Sequence, residues 1–131
     1  MSPHIRTVIK TELAPAALGP YSVAITAGPF VFTSGQIGID PKTNTLVEGG
    51  VEAETRQALI NVKNILEASG SSLANVVKTT VFLRDMGDFA KMNAVYAEFL
   101  GQDSPARSAM QVTLPKNAAV EIEAVALLLN V

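Results

Sequence analysis

The sequence predicts a single α+β domain in which a β-sheet carries two helices on one face. Short β-branched or alternating segments lie at both ends of the chain, and two longer segments between them have the helical period. The chain has 131 residues, 48% of them hydrophobic and 17% charged, which is enough for one core and too few for two. We therefore treat residues 1–131 as one domain with the element order β-β-β-α-β-α-β-β.

The first part of the chain predicts three strands. Residues 5–9 are rich in β-branched side chains and form the first. Residues 22–26 and 30–34 form the second and third, and Ala27-Gly28-Pro29 between them is typical of a hairpin turn. Residues 40–44 predict a further turn by their composition.

The middle of the chain predicts two helices. The first covers residues 51–69, ends before a C-capping Gly70, and has an apolar face made of Leu59, Val62, Ile65 and Leu66. The second runs from an N-capping Asp88 to Leu100, and its apolar stripe contains Phe89, Met92, Tyr96 and Phe99.

Three more strands are predicted at residues 76–83, 107–112 and 120–129. The last of these is apolar on both sides, so both of its faces need to be covered. Two helices cover only one face, and in so short a chain we expect another subunit to cover the second. The sequence therefore predicts a homo-oligomer; the alternative is that long loops close that face.

Composition excludes several kinds of site. The net charge of −2 and the pI near 5.3 argue against a protein that binds nucleic acid through its phosphates. The absence of cysteine removes disulfides, thiolate metal sites and a cysteine nucleophile. The only histidine is His4, so a histidine triad or a multi-histidine metal site would need a second chain.

No targeting or membrane-spanning segment is predicted. No apolar run approaches the roughly 20 residues that a bilayer requires, and the first twenty residues lack the apolar core of a signal peptide. Arg6 and Lys10 fit a mitochondrial presequence, but Glu12, Pro15 and Pro20 interrupt any amphipathic helix there. We therefore expect a cytoplasmic protein, with the mitochondrion as the alternative.

Two charged residues are the strongest candidates for a functional site. Arg107 lies in the segment Pro105-Ala106-Arg107-Ser108, which contains no acidic residue, and its planar fork suits a carboxylate or phosphate. Glu121 lies in an apolar strand and offers a base or an acceptor for water. If their strands are neighbours, the two side chains could converge on a small anionic molecule. The alternative is a structural salt bridge, which these residues alone favour.

The weaker candidates are Tyr21, the Ser34-Gly35 turn and Asn93. Tyr21 follows Gly19-Pro20 and fits either the core or the mouth of a pocket. Glycine at position 35 would let a ligand approach the backbone. There is no phosphate loop, dinucleotide fingerprint or nucleophile elbow, and we predict neither an organic cofactor nor a metal.

Together these motifs resemble the Rid (YjgF) family over essentially the whole chain. The matching segments are Ala14-Pro15, Gly19-Pro20-Tyr21, Ser34-Gly35-Gln36-Ile37, Asn61-Val62, Val77-Lys78-Thr79-Thr80-Val81, Asp88-Phe89, Asn93 to Tyr96, Pro105-Ala106-Arg107-Ser108, Leu114-Pro115-Lys116 and Glu121-Ile122-Glu123-Ala124. The resemblance implies a chorismate-mutase-like fold assembled as a homotrimer around a central barrel, with sites in the clefts between subunits.

The resemblance also implies an activity. Family members hydrolyse 2-aminoacrylate and related enamines, through their imine tautomers, to 2-keto acids and ammonia, and this protects pyridoxal-phosphate enzymes. By motif, Arg107 would bind the substrate carboxylate and Glu121 would activate water. Tyr21, Asn93 and the Ser34-Gly35 backbone would line the substrate pocket. The reaction needs neither a metal nor a protein nucleophile, because an imine carbon is already electrophilic.

Two features depart from the family pattern. Many members have cysteine two residues after the arginine, where this chain places Ala109 in the substrate site. The segment between Arg107 and Leu114 is also one residue shorter than in bacterial members.

Two other functions compete with deamination. One is a non-catalytic trimer that binds or senses 2-keto acids or related carboxylates with the same arginine. The other is ribonuclease action, which the acidic pI disfavours.

Overall fold

A computed structural model describes residues 5–129, and His4 lies outside that range. It contains nine strands: β1 Arg6–Ile9, β2 Ala24–Ala27, β3 Phe30–Thr33, β4 Gln36–Ile37, β5 Ile39–Asp40, β6 Thr45–Leu46, β7 Val76–Leu83, β8 Ala106–Gln111 and β9 Val120–Leu127. The two α-helices are α1 Gly50–Ala68 and α2 Phe89–Leu100. Neither helix is both long and apolar enough to cross a membrane.

The main sheet has the strand order β1-β2-β3-β9-β7-β8, and the short β4 pairs with β9 beyond the end of β3. All of its pairs are antiparallel except β7 with β8, which are parallel and joined through α2. A separate two-stranded ribbon is formed by β5 and β6. The last strand therefore lies at the centre of the sheet, and β8 is an edge.

Both helices cover the same face of the sheet, as the sequence predicts. The core on this face takes every second residue of β9, namely Val120, Ile122, Ala124 and Ala126. From α1 it takes the predicted apolar stripe, and from α2 it takes Met92 and Tyr96. Because the helices repeat every 3.6 residues and the strand every two, their apolar side chains point into one core. Removing these side chains from water stabilises the fold.

The opposite face of the sheet carries large apolar side chains that remain exposed in one chain. Val8, Phe32, Met110 and Leu127 have exposed fractions of 45%, 44%, 41% and 39%. Their registers place them with Glu121 and Glu123, on the side away from the helices. This face is the one for which the sequence predicts a subunit cover, and that cover remains a prediction.

The sequence placed the long elements well and missed the short ones. Residues 76–83 match β7 end for end, and the β2–β3 hairpin turns at Gly28, whose φ is 58°. Helix α1 ends in a Schellman motif in which Ser69 is the cap and Gly70, at φ 87°, follows it. The two-residue strands β4, β5 and β6 were not predicted, because so few residues show no period.

One capping prediction needs correction. Asp88 does precede α2, but its side chain makes no capping hydrogen bond. A short 3₁₀ turn over Met86–Asp88 leads into the helix, and the Asp85 carboxylate accepts from the amide of Gly87 at 2.8 Å. The capping carboxylate therefore comes from the residue that starts this turn.

Candidate active site

Glu121 lines a cavity of about 570 Å³, a volume within the range of small-molecule sites. The walls come from distant parts of the chain. The 15–21 loop supplies Tyr21 and several apolar residues, the segment after β3 supplies Ser34 and Gly35, and the turn before β9 supplies Lys116. Four of the predicted site residues therefore lie together, although up to 100 positions separate them in the sequence.

Gly35 is required by the position of Glu121. A Cβ built on Gly35 would lie 2.7 Å from the Glu121 Cδ and 3.0 Å from its Oε2. Real side chains do not approach so closely, so any other residue would displace the carboxylate. Glycine at position 35 is thus explained by its close contact with the side chain of Glu121.

The environment of Glu121 raises the pKa of its carboxyl group. Partial burial disfavours the charged form, and the neighbouring negative charge of Glu123 adds to the effect. A carboxyl with a raised pKa is a better proton acceptor at neutral pH than an ordinary glutamate. Within residues 5–129 no group of three His, Asp or Glu side chains is placed to hold a metal ion.

Ser34 and Tyr21 are held by local hydrogen bonds. The amide and the hydroxyl of Ser34 both donate to the Val23 carbonyl, at 2.9 and 3.2 Å, and its hydroxyl accepts from Gln36 Nε2. The Ser34 amide is therefore used inside the protein rather than offered to a ligand. Tyr21 is half exposed, and its hydroxyl accepts from the amide of Leu18 at 3.2 Å, which fixes the loop at the mouth of the cavity.

The turn before β9, which positions Glu121, is not predicted by the sequence patterns. Lys116 and Asn117 both have left-handed backbones, with φ of 55° and 54°. Arg84 Nη1 donates to the Asn117 carbonyl at 2.7 Å, and the buried Glu54 accepts from the Ala119 amide at 2.8 Å. These contacts hold the start of β9 in place. A signal for Glu54 existed, since it lies on the buried stripe of α1.

Arg107 occupies a different cavity, of about 460 Å³, at the edge of the sheet. Its Nη1 donates to Asn93 Oδ1 at 2.7 Å, and its guanidinium carbon lies 4.8 Å from the ring centre of Tyr96 and 5.4 Å from that of Phe89. The cation is therefore held by neutral groups and aromatic faces. Among the described residues no carboxylate lies within salt-bridge distance of it, so Arg107 forms no structural salt bridge within one chain.

Arg107 and Glu121 do not converge within one chain. Strand β7 lies between β8 and β9, so their strands are not neighbours. The register partner of Arg107 on β7 is Thr79, and that of Glu121 is Phe82. An offset of three residues puts the two side chains on opposite faces of the sheet. From the sequence, Arg107 and Glu121 could converge if their strands were neighbours. The strand order and the register show that they do not converge within one chain.

The remaining predicted contacts are divided between the two cavities. Asn93 lines the Arg107 cavity, but it is engaged by the arginine itself. Ala109 lies on the same face of β8 as Arg107, where it packs against the core and does not line that cavity. One chain therefore holds the candidate arginine and the candidate carboxylate in two separate cavities, which we call the two half-sites.

The amino-acid sequence is similar to known proteins over most of its length. A family model described as endoribonuclease L-PSP matches residues 11–128. A RutC family protein of Pyrococcus horikoshii is 57% identical over 123 residues, covering 93% of this chain and 98% of the relative. The human 2-iminobutanoate/2-iminopropanoate deaminase is 50% identical over 128 residues, covering 97% of this chain and 93% of the relative.

Solved structures agree with the fold. The crystal structure of E. coli TdcF with bound serine matches with a TM-score of 0.87 and 42% identity. The match covers 92% of this chain and 98% of TdcF.

Proposed function

This chain belongs to the Rid (YjgF) family, whose model is described as endoribonuclease L-PSP, and from that premise we propose that it hydrolyses 2-imino acids at sites formed between subunits. It is a 2-iminobutanoate/2-iminopropanoate deaminase, as relatives at about 50% identity are named. By removing reactive imines and their enamine tautomers, it protects pyridoxal-phosphate enzymes.

The observation that best supports the proposal is the separation of the two half-sites. Arg107 and Glu121 line different cavities on opposite faces of the sheet. A head-to-tail contact brings the arginine of one subunit to the glutamate of the next, and a rotation that closes after three copies gives three equal sites. The exposed apolar side chains on the Glu121 face support such a contact.

The assembled site performs the hydrolysis with these two side chains. The Arg107 fork binds the substrate carboxylate and fixes the position of the imine carbon. Glu121 accepts a proton from a water molecule as the water oxygen forms a bond to that carbon. The proton then passes to the nitrogen of the tetrahedral intermediate, which forms from the protonated imine. As the carbon–nitrogen bond breaks and ammonia leaves, the hydroxyl group on the same carbon gives its proton to Glu121 and becomes the carbonyl group of the 2-keto acid.

Ribonuclease action, which the description of the family model suggests, fits the site less well. The cations that line the two cavities are Lys116 and Arg107, whereas binding to an RNA backbone uses many clustered cations. The net charge of −2 also opposes the approach of a polyanion.

The direct test is imine hydrolysis. An amino-acid oxidase supplies 2-imino acids in situ, and the release of 2-keto acid is followed with and without the protein. We expect acceleration by the wild type and none by Arg107→Ala. Binding of a 2-keto acid without turnover would establish the carboxylate-binding alternative and reject the deaminase. Sedimentation equilibrium is expected to give about three times the 13.8 kDa chain mass.

A further inference from the structure

Helix α2 is joined to the sheet by a buried hydrogen bond directly behind Arg107. The hydroxyl groups of Tyr96 and Thr79 lie 2.7 Å apart, and the two residues are only 5% and 1% exposed. Thr79 is the register partner of Arg107 on the neighbouring strand. The bond therefore fixes the helix to the sheet at the point where the arginine leaves its strand.

Three side chains on one face of α2 hold the guanidinium. Phe89, Asn93 and Tyr96 follow one another at spacings of four and three residues, so they share that face. The two rings lie 5.4 and 4.8 Å from the guanidinium carbon, and Asn93 accepts one of its five N–H groups at 2.7 Å. The rings limit the tilt of the plane, and the amide limits its rotation.

We infer that Tyr96 and Thr79 are positioning residues for the carboxylate anchor. Their hydrogen bond fixes the tilt of the Tyr96 ring, and the ring in turn holds the Arg107 fork in the orientation that a substrate carboxylate needs. This inference rests on the proposed function, because it assumes that Arg107 binds the substrate carboxylate. A long, flexible arginine side chain loses much freedom when it binds an anion, and prior ordering reduces that loss.

The hydroxyl group of Tyr96 separates this role from simple packing. A phenylalanine would fill the same space and present the same ring to the cation. What it would lack is the bond to Thr79. A purely structural bond would affect stability alone, whereas a positioning bond affects the affinity for carboxylates through Arg107.

The experiment measures the affinity for 2-oxobutanoate by calorimetry, beside steady-state imine hydrolysis. Tyr96→Phe and Thr79→Val are each expected to raise Kd and KM about 3- to 10-fold, which is what a single hydrogen bond accounts for, with little change in kcat. Thr79→Ser keeps a hydroxyl and is expected to retain the wild-type affinity. In an Arg107→Ala background, Tyr96→Phe is expected to cause no further loss of affinity.

Thr55→Val is the matched control. Thr55 is also a fully buried threonine, and its hydroxyl donates to the Val51 carbonyl within α1, away from Arg107. It is expected to lower Tm without changing Kd. If Tyr96→Phe and Thr79→Val behave in the same way, the positioning role is wrong and the bond is structural.

The outcomes also separate this inference from the proposed function. If the wild type binds 2-oxobutanoate but hydrolyses no imine, the deaminase proposal fails, and the affinities of the variants still decide the positioning role. If the wild type binds no 2-keto acid, Arg107 is not a carboxylate anchor, and the positioning role is rejected with it.

Discussion

Arg107 and Glu121 lie on opposite faces of one sheet, separated by an intervening strand and by three residue positions along it. Three positions correspond to roughly 10 Å along a strand. No rotamer change brings the two side chains together, because the hydrogen-bonded backbone of β7 lies between them. A reaction that uses both residues therefore needs two copies of the chain.

Mixing two inactive variants should restore activity. Arg107→Ala lacks the anchor and Glu121→Gln lacks the base, but subunits of each kind can combine one intact half-site with the other. After random exchange of subunits in a trimer, about a quarter of the sites contain both wild-type residues. The measurement is imine hydrolysis by the variants alone and after denaturation and refolding together.

The matched control is an Arg107→Ala, Glu121→Gln double variant refolded with wild type in the same way. It contributes no intact half-site, so it is expected to dilute activity. Activity that stays at background in the mixture of single variants would show that the two residues do not share a site.

Arg107→Lys should lower kcat/KM roughly 100-fold, because a lysine keeps the charge but loses the paired bonds to a carboxylate. Arg56→Lys is the control. Arg56 is an exposed arginine that also uses its planar fork, in a bidentate pair with Glu98 at 2.8 and 2.9 Å. It is expected to leave kcat/KM unchanged. A large loss of Tm with full hydrolysis in Arg107→Lys would make Arg107 a structural residue.

Glu121→Gln should abolish most of kcat and raise the Tm at neutral pH. The pKa of Glu121 is raised in the folded protein, so its contribution to stability is full below the unfolded value near 4.5 and is lost as pH rises through the folded value. The stability gained by the variant should therefore grow across that window. Thermal denaturation from pH 4 to pH 8 checks this, and a Tm lowered at pH 8 would contradict it.

Glu123→Gln should shift the acid limb of the kcat/KM profile to lower pH. The charge of Glu123 contributes to the raised pKa of Glu121, although burial contributes more. Removing that charge lowers the pKa, so the base remains ionised at lower pH. Lys78→Met, a change on the same face of the sheet that removes no negative charge, should produce no shift of this sign.

Gly35→Ala should lower kcat at least 10-fold with little change in Tm, since roughly 1 Å of displacement in an active site can cost about 100-fold. The added methyl group meets the flexible Glu121 side chain, which can move, but the carboxylate then leaves its position. Gly28→Ala is the contrast. Its Cβ meets nothing within 4 Å, but its φ of 58° strains an alanine, so it should lower Tm and leave kcat unchanged.

Sequence patterns were sufficient for the long elements, each of which has a period of its own, and not for the two-residue strands. Alternating apolar residues located β9, and the helical period located both helices near their observed ends. Arg107 and Glu121 were identified because a charge in apolar surroundings is costly and so indicates a partner or a function. The surplus of apolar residues on the last strand also predicted a face that needs a cover.

Tertiary structure decided what depends on distant parts of the chain. Strand β7 separates β8 from β9, and the registers of its two pairings place Arg107 and Glu121 on opposite faces of the sheet; no local pattern contains those registers. The bond between Thr79 and Tyr96 likewise joins a strand to a helix 17 positions further on. Periodicity records which side of its own element a residue occupies, whereas the pairing of elements follows from the packing of the whole core.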